Sequence, residues 1–114
     1  MAARLAAIAA ATERVPTMTY ETVKVDIDAR GVATLTFNRP DKHNAMNTQF
    51  CDDMHAALAD LAADSAVRVI VTTGAGESFS AGGDLAWMRA QADSDRAGRM
   101  AEARHFALML RRLD

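Results

Sequence analysis

The chain has 114 residues, half of them hydrophobic, enough for one apolar core and for no more than one domain. A formal charge of −2 speaks against nucleic acid or an anionic membrane surface as partner, and the scarcity of aromatic residues speaks against a base-stacking platform. No apolar run reaches the roughly 18 to 20 residues of a membrane span.

Residues 1–17 are alanine-rich, with Arg4 and Arg14. The apolar part is short for a secretory signal, and the stretch lacks the serines of a transit peptide. The fold is therefore expected over residues 18–114, starting near Met18-Thr19-Tyr20, with the opening a poorly ordered or non-native extension. Val23, Val25 and Ile27 alternate with Lys24, Asp26 and Asp28, the period of a half-buried strand. Ala29-Arg30-Gly31 supplies a turn, and Val32 to Phe37 reads as a second strand with Ala33, Leu35 and Phe37 on one face. The two are expected to pair as a hairpin, ended by Asn38-Arg39-Pro40-Asp41 because proline cannot donate to a ladder.

Asn47 or Thr48 can cap a helix to about Ala62, with Asp52 and Asp53 near its positive end and Phe50, Met54, Leu58 and Leu61 on one stripe. Val67 to Thr73 reads as a strand buried on both faces and paired in parallel through the helical crossover. A glycine-rich loop, Gly74 to Gly83, leads to a short helix, Leu85 to Ala92, that Asp84 can cap. A longer helix starts at about Arg96, with an expected stripe of Met100, Ala103, Phe106, Ala107, Leu110 and Leu113. The single cysteine, Cys51, reads as a small apolar filler in a reducing cytoplasm. His43, His55 and His105 stand apart from one another, so no metal site is expected.

The chemistry-bearing segment is Ala81-Gly82-Gly83-Asp84. The first N–H groups of a helix lack internal partners and, with the helix dipole, attract an oxygen gaining negative charge. Glycines let a carbonyl approach the main chain closely. On residues alone, such a Gly-Gly is more often just a tight turn.

Three segments, in order, resemble the enoyl-CoA hydratase/isomerase (crotonase) family: Asn38-Arg39-Pro40-Asp41-Lys42-His43-Asn44-Ala45-Met46, Val67 to Gly74, and Phe79 to Leu85. The resemblance implies an α/β, crotonase-like (ClpP/crotonase) spiral of ββα units, of which this chain is the N-terminal portion. It implies that the Gly83 N–H is one donor of a thioester oxyanion hole. Lys42, His43, Asn44, Ala45, Ala81, Gly82, Asp84 and Leu85 then lie where the family contacts coenzyme A and the acyl chain. Trp87 and Met88 are candidates for the acyl pocket, and equally for core packing; Asn44 equally bridges backbone at its turn.

The implied activity is addition of water to a 2-enoyl-CoA through a stabilised enolate. Coenzyme A is then part of the substrate, and no other cofactor and no metal are called for. The family's second oxyanion donor and its acid–base carboxylates belong to sequence beyond position 114. Of the nearby carboxylates, Glu77, Asp84 and Glu102 read respectively as solvated, as a cap and as a helix-face residue. The chain alone is expected to hold half a site. With the rest of the fold supplied, by a complementary C-terminal half for instance, a homotrimer or dimer of trimers is expected; a catalytically inactive remnant that binds coenzyme A or pairs with a subunit is the alternative. The run Ala81 to Met88 looks most like hydratases of branched or carboxylated enoyl-CoA, such as methylglutaconyl-CoA hydratase. A dinucleotide-binding turn at Gly74-Ala75-Gly76 fails for want of a third glycine at Phe79 and of a helix at Gly76. A serine-hydrolase elbow fails because neither Ser78 nor Ser80 has glycines at both two-residue offsets.

Overall fold

The computed structural model describes residues 18–114, so the expected extension at 1–17 lies outside the described residues. Four strands form one sheet in the order β1-β2-β3-β4: β1 (Met18–Thr19), β2 (Val23–Ile27), β3 (Val32–Phe37) and β4 (Val69–Gly74). β2 and β3 are the expected antiparallel hairpin, with Val25 opposite Leu35, and β4 runs parallel to β3, with Leu35 opposite Thr72. Between β2 and β3, Gly31 adopts φ +85°, and a Cβ there would lie 2.3 Å from the Ala66 carbonyl oxygen. Only glycine fits that turn.

Helix α1 (Thr48–Ala63) makes the crossover from β3 to β4. It begins where Asn47 Oδ1 accepts from Phe50 N at 2.9 Å. Its apolar stripe covers the sheet face made by Val23, Val25, Ala33, Leu35 and Phe37, all buried. Phe50 is fully buried and meets Phe37 edge-on, ring centroids 4.9 Å apart. This is one ββα unit. Helices α2 (Leu85–Asp93) and α3 (Arg96–Leu113) follow, capped by Asp84 and Asp95.

Asp53 does more than favour the helix dipole. It is buried, and its Oδ2 accepts from Thr22 N at 2.8 Å and Thr22 Oγ1 at 2.6 Å, while Oδ1 accepts from Gln49 Nε2 at 2.9 Å. The carboxylate thus ties the entry of β2 to α1. Asp53→Ala would strand two buried Thr22 donors and is expected to cost about 2–3 kcal/mol, read from the urea unfolding midpoint.

Two expectations from periodicity are corrected. β4 is not buried on both faces: Val69, Ile70 and Val71 are 49%, 36% and 47% exposed. β4 is an edge strand of the described sheet, and β3 is the described element packed extensively against it. The stripe of α3 is also rotated. Met109 is the buried residue, with Phe106 and Leu113 packed beside it, while Met100 and Leu110 face solvent. Polar contacts set that phase: Glu102 Oε1 accepts from Thr48 Oγ1 and from Trp87 Nε1, and His105 Nε2 pairs with Asp52 Oδ1 at 2.7 Å.

Candidate active site

After β3, Pro40–Lys42 forms a single 3-10 turn, with proline at a helix start where no amide is needed. His43 and Asn44 follow at φ +51° and +56°, a left-handed pair that bends the chain back under the Gly74–Gly83 loop. Asn44 is fully buried. Its Oδ1 accepts from Arg39 N at 2.8 Å, and its Nδ2 donates to Ala75 O at 2.9 Å and to Ser78 O at 2.7 Å. The side chain therefore clasps the loop from beneath.

The two segments then run side by side. Ala81 N donates to His43 O at 2.9 Å, Met46 N to Gly82 O at 2.7 Å, and Asp84 N to Met46 O at 2.8 Å. Met46 and Gly83 form a parallel bridge. In that geometry the partner residue bonds to the groups flanking Gly83, so the N–H of Gly83 itself points away from Met46. That N–H has no acceptor among the described residues.

Asp84 fixes the helix start that follows. Its Oδ1 accepts from Trp87 N at 2.9 Å, and its Oδ2 meets Arg39 Nη2 at 3.3 Å. Arg39 Nη1 also donates to the Ala45 carbonyl. The Trp87 N–H and then the Arg39 guanidinium hold this carboxyl below its ordinary 3.8, against the opposing effect of desolvation. A lowered folded pKa stabilises the fold above the unfolded value and loses that contribution as pH falls through the folded value. Asp84→Ala is expected to cost about 2 kcal/mol at neutral pH through the lost cap and the unpaired Arg39. The gap to the parent chain should close below pH 4 or so in acid-unfolding curves.

A cleft of about 680 Å³ opens beside this platform. Lys42, His43 and Ala45 line it from one segment and Ser78, Ala81 and Gly83 from the loop. Asp84, Leu85, Met88 and Arg89 line it from the start of α2. Eight of the eleven residues singled out from sequence thus meet there. Asn44 lies beneath the platform, in the bridging role, and Gly82, at φ +92°, is exposed beside it. Trp87 is not a lining residue: its indole packs on Phe106 at 4.8 Å and donates to Glu102 Oε1 at 3.1 Å. Arg89 was missed, although its position one turn beyond Leu85 puts it on the same helical face. Ser78 was missed as well; its Oγ lies 3.1 Å from His43 Nδ1.

Among the described residues, the one carboxylate lining the cleft is Asp84, already engaged by Arg39 and Trp87 N. Glu77 is exposed on its loop and Glu102 ties three helices together, so neither offers a free base to the cleft. No helix starts at Gly76, which lies in a turn.

The description "enoyl-CoA hydratase/isomerase" belongs to the family profile that matches residues 28–111, most of the chain. The chain belongs to the enoyl-CoA hydratase/isomerase family. It is 35% identical over 94 residues to the mitochondrial Delta(3,5)-Delta(2,4)-dienoyl-CoA isomerase of Mus musculus, covering 80% of this chain and 29% of that protein. It is 46% identical over 66 residues to the hydroxycinnamoyl-CoA hydratase-lyase of Pseudomonas fluorescens, covering 58% of this chain and 24% of the relative. A crystal structure of an enoyl-CoA hydratase from Mycobacterium smegmatis superposes with a TM-score of 0.75 at 32% identity, covering 82% of this chain and 35% of that one. The chain is an α/β part of the crotonase fold, and the matched stretch spans about a quarter to a third of the length of each of these relatives.

Within this crotonase segment, Cys51 is wholly buried, and burial first, then Asp52 and Glu102, pushes its thiol up to about 12. It is inert as a nucleophile at neutral pH. No helix of the described residues is long and apolar enough to cross a membrane.

Proposed function

We propose that this chain supplies the carbonyl-binding half of an acyl-CoA hydratase/isomerase site, acting most simply in water addition to a 2-enoyl-CoA. The Gly83 N–H, at the positive start of α2, would hold the thioester oxygen as the substrate becomes an enolate. The observation that carries this reading is that the amides of Ala81 and Asp84 on either side are bonded to the protein's own backbone, while that of Gly83 is not. Lys42 and Arg89 at the cleft suit the phosphates of coenzyme A, and Leu85 and Met88 suit an acyl chain.

Water addition also needs carboxylates to activate the water and move the α-proton. In this reading they come from polypeptide outside these 114 residues, such as a complementary C-terminal half, and the completed fold assembles as a homotrimer or dimer of trimers. Coenzyme A enters as substrate, and the reaction asks for no metal or redox group. Hydration of crotonyl-CoA by the 114-residue chain alone would overturn that division of labour.

Titration of the ¹⁵N-labelled chain with crotonyl-CoA, beside free coenzyme A, tests the carbonyl role. The Gly83 amide is expected to move downfield with the thioester and to stay still with coenzyme A alone. Equal shifts with both ligands would reduce the chain to a coenzyme A-binding remnant.

A further inference from the structure

On the opposite flank of α1, residues far apart in sequence converge. Cys51 and His55 are one turn apart on α1, hence on one face, and His105 reaches them from α3. One ligand atom from each of the three lies within 4.8 Å of the others. Cys51 Sγ and His55 Nε2 both donate to the His105 carbonyl oxygen, at 3.4 and 3.0 Å, bonds that a bound cation would replace, with the His55 proton moving to Nδ1. The two imidazoles stack at 4.6 Å.

We propose that Cys51, His55 and His105 bind one Zn²⁺-class cation, bridging α1 to α3. One sulfur and two imidazole nitrogens form a ligand set that zinc and its d-block neighbours prefer over the oxygen-seeking Mg²⁺ and Ca²⁺. A tetrahedral zinc ion needs such donors about 3.4–3.6 Å apart, so side-chain rotations must close the triangle by roughly 1 Å. His55 and His105 are half-buried, which leaves the fourth position to water.

Independent support comes from Asp52. Its Oδ1 lies 2.7 Å from His105 Nε2. A carboxylate there fixes the proton on Nε2 and leaves Nδ1 with the lone pair, the arrangement found behind metal-bound histidines. The thiol's resistance to ionisation does not oppose this. Asp52 and Glu102, which with burial keep the proton on Cys51, are the charges that would favour a cation beside it. Binding replaces the S–H bond by a sulfur–metal bond and releases one proton to solvent.

Cobalt(II) titration of the full chain is the direct test. The expected result is one ion per chain, with tetrahedral d–d bands and a near-ultraviolet sulfur-to-cobalt band, both displaced by Zn²⁺ and accompanied by release of about one proton. Cys51→Ser should abolish the sulfur band. Asp52→Asn, which leaves all three ligands in place, should weaken binding by about 10- to 100-fold. Near-ultraviolet circular dichroism of Trp87 establishes that each variant is folded; if Cys51→Ser is not, the proton count and the Asp52→Asn titration carry the decision. A folded parent chain that shows no sulfur band would make the cluster a polar helix contact only. A band that survives in Cys51→Ser would assign the metal elsewhere. Either result overturns the proposal.

Discussion

Asn44→Ala is expected to lower the free energy of unfolding by about 3–4 kcal/mol and to release the loop that carries Gly83. Truncation removes the acceptor of Arg39 N and the donors to Ala75 O and Ser78 O, all at a fully buried position. Each lost bond costs on the order of 1 kcal/mol. Alanine would also have to hold φ +56°, where asparagine is tolerated, at a further cost of about 1 kcal/mol. Asn44→Gly separates the two effects: it loses the same bonds without the strain, and so should recover about 1 kcal/mol of the deficit. Urea unfolding gives the energies, and hydrogen exchange at Ala81 and Asp84, whose amides bond to the backbone beside Asn44, reports whether the loop has come loose. A loss under 1 kcal/mol with protected amides would show that the backbone pairing holds the loop without the clasp.

The clasp was legible in the sequence only as one of two open readings of Asn44, because an asparagine after a 3-10 turn gives no sign of which carbonyls it will find. Local order was far more legible. The alternation at Val23, Val25 and Ile27 placed the strand, Gly31 the turn, and Asn47 or Thr48 and Asp84 the helix starts, since each depends on near neighbours alone. Burial of β4 was misjudged for the opposite reason. An apolar strand looks the same wherever it lies, and its exposure follows from its place at the outside of the sheet. On α3, apolar residues occur all round the helix, and the choice among faces fell to Glu102 and His105, polar groups that an apolar stripe ignores. The same blindness hid the Cys51–His55–His105 cluster. Its i, i+4 half was present in the sequence, but the third member arrives only through the packing of α3 on α1. Trp87 shows the limit at the site itself, for a residue beside Gly83 turned its ring to Glu102 and Phe106 instead of the cleft.

Loss of the Gly83 amide should have the largest effect on the chemistry. Proline is the only natural residue that deletes a backbone N–H, so Gly83→Pro tests the donor and Gly83→Ala controls for bulk. In Gly83→Ala the N–H remains, and the new Cβ would lie 2.8 Å from Met88 Cε, the tip of a flexible, half-exposed side chain that can swing aside. A neutral thioester carbonyl loses one ordinary hydrogen bond in Gly83→Pro, about 1 kcal/mol or some fivefold in affinity. A coenzyme A-linked anion shaped like the enolate should lose about 100- to 1,000-fold, because a donor fixed in advance is worth most where charge has developed. Gly83→Ala should leave both ligands within a few-fold of the parent chain. The ratio between the two ligands is the diagnostic quantity, since damage to the fold would weaken both alike. Proline can disturb the turn, so the Asp84 N to Met46 O bond must be seen intact by hydrogen exchange before the ratio is read. An equal loss for the neutral and the anionic ligand would mean that Gly83 shapes the cleft but does not hold the developing negative charge.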